Sequence, residues 1–187
     1  SDQGQNPIPY DLDERVHLID LDIRFYTRYR FDKLRRLMEY RRQISSYREK
    51  LQSLLNEILP EVVVCTANQM VWPVLKAKGH TRLVVECHSN FLHPDKFSQR
   101  MQAWVNNHWV AKADAVVTLT NGDAEDWYRL CRNVHVIPNM VNLNQTRQYS
   151  DCTSKRVLFV GRFEEQKGIV ELFDIWKMVH HRFSDWH

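Results

Sequence analysis

The sequence predicts an α/β protein: a Rossmann-like parallel sheet with helices on both faces, followed by a strand and helix that begin a second domain. Three observations point to this class. Short apolar segments rich in β-branched residues alternate with longer segments of helical period, joined by short connections. The strand-like segments are apolar throughout, as is typical of parallel sheets. A polar stretch then interrupts the alternation, which resumes after it.

The first part of the chain holds four predicted elements. Residues 1–14 are polar and contain prolines, which predicts a loop, and residues 15–23 alternate between apolar and polar, which predicts a strand. Apolar residues recur at helical spacing from 32 to 59, and Pro60 ends this long helix. The run EVVVCT at 61–66 is continuous and β-branched, so we expect a strand buried on both faces.

The alternation of helix and strand then repeats three times. The predicted elements are a helix over 68–78 that ends at Gly79, a strand over 82–87, a helix over 98–113 with Ser98 as its N-cap, a strand over 114–120, a helix over 121–131 and a strand over 134–137. A helix separates each strand from the next, so the sequence predicts a parallel sheet covered by helices on both sides.

A domain boundary is predicted after the last of these strands. Residues 1–138 form the first domain, the polar stretch 139–154 is a linker, and residues 155–187 begin a second domain. There the run RVLFV (156–160) predicts a strand, and a helix follows over 168–183. Because one strand and one helix do not make a domain, we expect the apolar face of this helix to pack on the first domain or on a second copy of the chain, giving a dimer.

Charge is distributed unevenly along the chain. The 187 residues have a net charge of +3, but residues 24–50 hold ten Lys and Arg against three acids, so this segment carries +7. Such a basic segment is typical of contact with an anionic partner, such as a membrane surface, a phosphate or a nucleic acid. The alternative is a solvated helix face whose counter-charges come from elsewhere in the fold, and both interpretations stay open.

The four cysteines are widely separated and include no C-x-x-C pair. Cys65 and Cys87 lie in apolar segments, which predicts buried thiols in strands and favours a reducing, cytoplasmic compartment. No stretch of the sequence matches a membrane-spanning helix or a signal peptide.

The stretch VGRFEEQKG (160–168) carries the clearest candidate site. Gly161 permits a sharp turn after a strand, Arg162 offers a forked pair of donors, and Lys167 adds a compact charge before Gly168 and the helix. Cations at the carboxyl end of a parallel strand suit a diphosphate. The alternative interpretation is a surface arginine and lysine paired with Glu164 and Glu165.

Four motifs resemble, in the same order, those of the family 4 glycosyltransferases of the GT-B fold. They are VVECHSNF (84–91), VVTLTNGDAEDW (116–127), HVIPNMVN (135–142) and VLFVGRFEEQKGIVELFDIW (157–176). The last resembles the start of the C-terminal, donor-binding domain of that family. The resemblance implies an N-terminal acceptor-side domain followed by the beginning of a nucleotide-sugar domain.

The resemblance also implies a reaction and a set of site residues. Arg162 and Lys167, framed by Gly161 and Gly168, would hold the diphosphate of a UDP or GDP sugar, and His88 would lie near the reacting sugar. No metal and no separate cofactor are implied, and the anomeric configuration would be retained. His88 is equally compatible with a strand-end histidine that hydrogen-bonds locally.

The expected partners are a nucleotide sugar and a glycan or lipid-linked acceptor, in a bacterial-type enzyme that builds polysaccharide or glycolipid. Residues 24–50 would contact the inner face of the membrane peripherally, whereas no nucleic-acid motif supports a nucleic-acid partner. The chain departs from the family in two ways: it lacks the glycine-rich loop after the first strand, and it lacks the paired glutamates of the second domain. We therefore expect this segment to be inactive by itself.

Two other functions stay open from the residues. One is a different phosphoryl-ligand enzyme of the same fold class, in which Arg162 and Lys167 hold another phosphorylated compound. The other is a non-enzymatic module that binds membranes or partners through residues 24–50.

Overall fold

The computed structural model describes residues 11–88, 91, 97–140, 153–164 and 167–187. The chain divides into two compact units, Ser1–Met140 and Val141–His187. Most of the predicted linker 139–154 and of the predicted loop 1–14 lies outside the described residues, so the proposed domain limits stay a prediction.

The first unit is built from four parallel strands in the order β1-β2-β3-β4. The strands are β1 (Val62–Cys65), β2 (Arg82–Cys87), β3 (Ala115–Thr118) and β4 (Val134–Val136). The helices are α1 (Lys33–Ile58), α2 (Val71–Ala77), α3 (Phe97–Val110) and α4 (Asn121–Tyr128), with short 3₁₀ helices η1 (Phe25–Arg30) and η2 (Asn68–Met70). The predicted α/β class, a parallel sheet flanked by helices, is confirmed.

Register sets which side chains share a face of the sheet. Cys65 pairs with Val85, and Val85 pairs in turn with Val116, so these residues lie on one face. That face forms a single buried cluster with side chains from the helices, which are Val71, Val74, Val110, Ala124 and Trp127. Each crossover moves one strand further in the same direction, and right-handed crossovers then place their helices on the same side.

The opposite face of the sheet is covered less well in the described part of the chain. Val62 and Val64 of the edge strand β1 are 46% and 53% exposed, although Val117 in β3 is buried. The prediction that residues 61–66 are buried on both faces is therefore wrong. The reason is that β1 lies at the edge of the described sheet, and the helices α2, α3 and α4 all follow crossovers to one side.

Local signals fix both ends of α1 almost where the sequence predicts them. Asp32 is the N-cap, and its Oδ1 accepts a hydrogen bond from the backbone N–H of Arg35 at 3.0 Å. Leu59 ends the helix in a left-handed conformation with φ 49°, and its N–H donates to the carbonyl of Leu55. The next residue, Pro60, has no N–H with which to continue the helix.

Residues 15–23 form no strand, which corrects the prediction made from their alternating pattern. Asp22 adopts a left-handed φ of 48°, which an extended strand does not contain, and its N–H donates to Oδ1 of Asp20 at 2.9 Å. The segment is held to α1 instead of to the sheet, because Nζ of Lys50 donates to the carbonyl of Leu21 at 2.7 Å. Ile23 is buried, whereas Leu18 stays half exposed.

Two further boundaries differ slightly from the predictions. The predicted helix over 68–78 consists of η2 followed by α2, and Gly79 ends it with φ 58°. α3 begins at Phe97, one residue before the predicted N-cap Ser98, whose side chain lies outside the described part of the chain.

The second unit contains one described helix, α5 (Ile169–Arg182), and none of its residues is buried. The predicted strand over 156–160 does not form. Within the described ranges, the backbone here pairs with the C-terminal residues: the N–H of Val157 donates to the carbonyl of His187, and the N–H of His187 donates to the carbonyl of Lys155. A strand needs a continuous neighbouring ladder, and two hydrogen bonds to a chain end do not supply one.

Candidate functional site

The N-terminal half of α1, here called the projecting half, lies beside η2, which follows β1 at the carboxyl edge of the sheet. α1 ends at Ile58 and β1 begins at Val62, so helix and strand run in opposite directions. Tyr47, midway along α1, already packs against the buried cluster that includes Cys65, the last residue of β1. Residues 33–46, which precede Tyr47 in the helix, span roughly 20 Å at a rise of about 1.5 Å per residue. Parallel α/β sheets bind ligands at this edge.

His88 follows β2 at the same edge. Its Nε2 lies 3.3 Å from Oε2 of Glu86, and its side chain is 49% exposed. A carboxylate at this distance orients the imidazole when the ring nitrogen donates the hydrogen bond. This geometry suits a residue that faces a ligand, and it equally suits a local hydrogen bond at a strand end, so both interpretations of His88 stay open.

Neighbouring loops at this edge are held by one carboxylate that the sequence did not single out. Asp123, in the first turn of α4, accepts a hydrogen bond from the N–H of Phe91 at 2.9 Å and another from Oγ1 of Thr120 at 2.7 Å. Phe91 also packs edge-on against Trp127, with 5.1 Å between ring centroids. The connections after β2 and β3 are thereby joined. Only an acidic residue three positions after a capping threonine signals this role in the sequence.

A basic groove, defined by twelve lining residues, lies between the projecting half of α1 and the elements beside it. It encloses about 760 Å³. Its lining residues are Phe25, Arg28, Tyr29, Lys33, Arg36, Leu37, Tyr40, Tyr47, Gln69, Met70, Gln102 and Asn106. They come from η1, α1, η2 and α3, and none of the twelve is acidic.

Stacked cations and rings organise the basic groove. The guanidinium of Arg28 lies 4.6 Å from the ring centroid of Tyr40 and 5.0 Å from that of Tyr29, and Arg36 lies 5.5 Å from Tyr29. A hydrogen bond from Arg28 to the phenol oxygen at 3.0 Å lowers the pKa of Tyr29, and the positive charges of Arg28 and Arg36 lower it further. The groove is therefore a region of positive potential.

The sequence anticipated part of this groove. Residues 24–50 were predicted to be a basic segment that contacts an anionic partner or forms a solvated helix face; contact with an anionic partner stays a prediction. Arg24 and Arg42 pair with Asp22 and Glu39 at 3.1 Å and 2.8 Å, as a solvated helix face would. The contributions of η2 and α3 to the groove carry no comparable sequence signal.

The predicted diphosphate segment of the second unit is exposed. Nη1 of Arg162 lies 3.0 Å from Oε1 of Glu164, and the arginine side chain is 71% exposed. Lys167 is also exposed, and its backbone N–H donates to the carbonyl of Glu164 at 2.9 Å. The ion pair between Arg162 and Glu164 is what the interpretation as surface charge expects. Glu165, the other predicted partner, lies outside the described residues. An exposed pair of this kind is weak, so an incoming phosphate can displace the carboxylate.

Both glycines of this segment have local reasons to be glycine. A side chain at Gly161 would bring its Cβ within 2.9 Å of the Phe159 ring. Gly168 precedes α5 with φ 64°, a left-handed conformation that favours glycine. Neither reason depends on a ligand.

Thiol and metal chemistry find little support in the described residues. Cys65 and Cys87 are buried free thiols, as predicted, and burial raises the pKa of Cys87 to about 12. Across the described ranges, no three His, Cys, Asp or Glu side chains cluster closely enough to hold a metal ion. None of the described helices has the length and apolarity needed to cross a membrane.

Comparison with known proteins identifies the family of most of the chain. The family model described as Glycosyltransferase Family 4 matches residues 11–145, which is more than half of the chain. No curated protein and no solved structure matches significantly. The matched range contains the whole sheet, His88 and the basic groove, whereas the segment from Gly161 to Gly168 lies outside it.

Proposed function

The chain belongs to glycosyltransferase family 4, and we propose that it serves the transfer of a sugar from a UDP or GDP sugar to a polysaccharide or glycolipid acceptor. The match over residues 11–145 carries this proposal, and it confirms the family that the sequence motifs resembled. We further propose that the transferred group is a hexose, that the reaction needs no metal, and that it retains the anomeric configuration.

Arg162 and Lys167 are proposed to hold the donor diphosphate. As the glycosidic bond breaks, negative charge grows on the leaving nucleoside diphosphate, so cations positioned there stabilise the transition state more than the ground state. Support comes from the exposure of both side chains and from the weak Arg162–Glu164 pair, which leaves the guanidinium accessible. Gly161 and Gly168 shape the turn that presents the two cations.

His88 is proposed to lie near the reacting sugar. Its position after β2, at the carboxyl edge of the sheet, supports this role. The nearby carboxylate of Glu86 would keep the ring oriented, so that one imidazole nitrogen is presented to a sugar hydroxyl or to charge developing at the reaction centre.

The acceptor side is proposed to approach a membrane surface peripherally, on its cytoplasmic side. The projecting half of α1 supports this, because Leu34 and Met38 are 71% and 65% exposed beside the cations of the same helix. An exposed helix with apolar and basic residues binds anionic lipid both by burying its apolar side chains and by electrostatic attraction to the headgroups. Self-association through α5, whose Phe173 and Met178 stay exposed, remains a prediction that sedimentation velocity would check.

Calorimetric titration with UDP and with GDP tests the donor site. Because charge-assisted hydrogen bonds contribute about 1.5–3 kcal/mol each, we expect Arg162→Ala and Lys167→Ala each to weaken binding by about tenfold or more. Lys177→Ala is the matched control, since Lys177 is an exposed cation of the same unit that pairs with Asp174. Binding unchanged in both variants, or weakened equally by the control, would refute the assignment.

A further inference from the structure

We propose that a stripe of exposed side chains on α3 is the contact between two copies of this chain, which pack antiparallel about a two-fold axis. The α3 stripe consists of Phe97, Met101, Trp104, Val105 and His108. Four features of α3 favour this contact: the side of the helix that the stripe occupies, the order of its rings, its low charge and its area. The contact requires neither sugar transfer nor the basic groove.

The α3 stripe lies on the side of the helix that faces away from the core. Its residues recur at intervals of three and four, so they share one helix face about three turns long. Ala103 and Val110, seven residues apart, are buried on the core side, and Gln102 and Asn106 line the basic groove. A helix that packs on a core normally presents polar residues to solvent, so an exposed apolar stripe there marks an interaction surface.

Contacts between aromatic rings order the α3 stripe before any partner binds. Trp104 and His108 stack with their ring centroids 5.9 Å apart and their planes at 23°. His108 meets Trp109 edge-on at 5.2 Å, and Trp109 lies 6.4 Å from Trp72 of α2. Nζ of Lys112 lies 4.4 Å from the centroid of Trp109 and holds that ring from another side. Rings that are already ordered lose little conformational entropy on docking, and tryptophan is frequent among the residues that dominate interface energies.

The low charge of α3 favours a second copy over a strongly charged partner. From Phe97 to Val110 the sequence contains one arginine, Arg100, and no lysine or acidic residue. Two copies of this helix therefore bring little like charge together, whereas a strongly charged partner would find few groups with which to pair. An antiparallel arrangement also sets the positive end of each helix dipole beside the negative end of the other.

The order of residues in the α3 stripe is self-complementary. A two-fold axis between Trp104 and Val105 places Met101 of one copy opposite His108 of the second copy, because these two residues are equally far from the axis along the helix. A thioether beside an aromatic ring is a favourable contact. The two copies of Trp104 lie next to the axis and pack on each other when the helix axes are about 8–10 Å apart. Both copies then use the same patch, as a two-fold dimer requires.

The area of the α3 stripe reaches the lower limit for a specific dimer. Phe97 and Trp104 are 79% and 65% exposed, and aromatic side chains bury about 150–250 Å² each when they are covered. With smaller contributions from Met101, Val105 and His108, each copy offers on the order of 500 Å², so a pair buries roughly 1,000 Å². Interfaces of this size are typical of weak complexes, so we expect a dissociation constant on the order of 10–100 µM.

Sedimentation velocity of the whole chain, over concentrations from well below to well above this range, measures the association. We expect a reversible shift from monomer to dimer as the concentration rises. Trp104→Ala should weaken dimerisation at least tenfold, whereas Trp104→Phe, which keeps an aromatic ring, should weaken it about threefold or less. Circular dichroism melting checks that each variant is folded. A chain that stays monomeric throughout, or a dimer that Trp104→Ala leaves unchanged, would overturn the proposal.

Phe173→Ala is the matched control, because Phe173 is an exposed aromatic residue of a different helix, α5. This variant should dimerise as the wild type does. A greater loss of dimer in Phe173→Ala than in Trp104→Ala would assign the association to α5 and overturn the role of α3. Equal losses in the two variants would overturn the proposal in favour of unspecific association of apolar surfaces.

Disulfide trapping tests the position of the two-fold axis. In a Cys131→Ser, Cys152→Ser background, whose other two cysteines are buried, Val105→Cys should form a disulfide between two copies on mild oxidation. Glu125→Cys, at an exposed position of α4, should form little. Equal cross-linking at both positions would overturn the proposed axis.

Phosphatidylcholine vesicles test the other occupant that an apolar helix face could take. We expect the wild type and Trp104→Ala to behave alike in a vesicle flotation assay. A monomeric chain that floats with the vesicles and loses this property in Trp104→Ala would assign the α3 stripe to a membrane and overturn the dimer. Titration with UDP reports separately on Arg162 and Lys167, so failure of the dimer and failure of the donor site give different results.

Discussion

Replacing Asp32 by alanine should loosen the projecting half of α1. Asp32 accepts the N–H of Arg35 through its side chain and the N–H of Arg36 through its carbonyl, and the turn that it caps contains three basic residues and no acidic one. Alanine removes the side-chain acceptor, and it also removes the negative charge that opposes the helix dipole. Because Lys33, Leu34 and Arg35 of this turn are exposed, little packing compensates locally for the loss.

The magnitude follows from two terms. Loss of an N-cap acceptor destabilises a helix by about 1 kcal/mol, and loss of a favourable charge at the N-terminus by about 0.3–1 kcal/mol. Together they shift the opening equilibrium of the first turn by about tenfold. Asp32→Asn separates the terms, since asparagine caps as well as aspartate but carries no charge, so about two- to fivefold is expected there.

Hydrogen exchange with mass spectrometry measures this opening directly. Peptides that cover the start of α1 should exchange about tenfold faster in Asp32→Ala than in the wild type, whereas peptides from α4 should not change. Equal acceleration in Asp32→Ala and Asp32→Asn would show that charge alone matters. Unchanged exchange in Asp32→Ala would refute the argument that this cap holds the projecting half of α1.

Three further predictions concern the first unit. Trp127 is fully buried and its Nε1 has no hydrogen-bond partner in the described part of the chain, so Trp127→Ala should lower the free energy of unfolding by about 3–5 kcal/mol in urea titrations, whereas Trp127→Phe, which removes that N–H, should lower it by under about 1.5 kcal/mol. The N–H of Leu83 donates to Asp114 and lowers the pKa of that carboxyl. The stabilisation that results is present above the pKa of about 4 that this carboxyl has in the unfolded chain, and it is lost as the pH falls through the lower pKa of the folded state. The difference in free energy of unfolding between wild type and Asp114→Asn should therefore shrink in acid. Burial keeps the Cys87 thiol protonated, so iodoacetamide at mildly alkaline pH should label it only after unfolding; rapid labelling of the native protein would contradict this.

Elements with strong local signals were predictable from the sequence. α1 was predicted over 32–59 and spans Lys33–Ile58, because a capping aspartate and a proline mark its ends. β2 was predicted over 82–87 and has those limits, because a β-branched run bounded by polar residues has few alternatives. The family resemblance rested on motifs at strand ends. Each of these motifs is a short contiguous stretch, so it can be read from the sequence alone.

Pairing and cover depend on neighbours that lie far away in the sequence. Residues 15–23 and 156–160 have the composition of strands, but neither segment pairs with a neighbouring strand in the described structure. Without such pairing, the backbone N–H and C=O groups of a segment must find other hydrogen-bond partners. The burial of β1 on one face only followed from the direction of three crossovers, which the sequence of one strand does not contain.

The two candidate sites differ in the same way. The segment from Gly161 to Lys167 is contiguous, so its residues could be named from the sequence, although their ligand stays a proposal. The basic groove joins η1 and α1 to Gln102 and Asn106 of α3, more distant in the chain. The sequence determined that residues 24–50 are basic and aromatic. Only tertiary packing decided which of those cations line a shared groove, because the groove forms where separate elements of the chain come into contact.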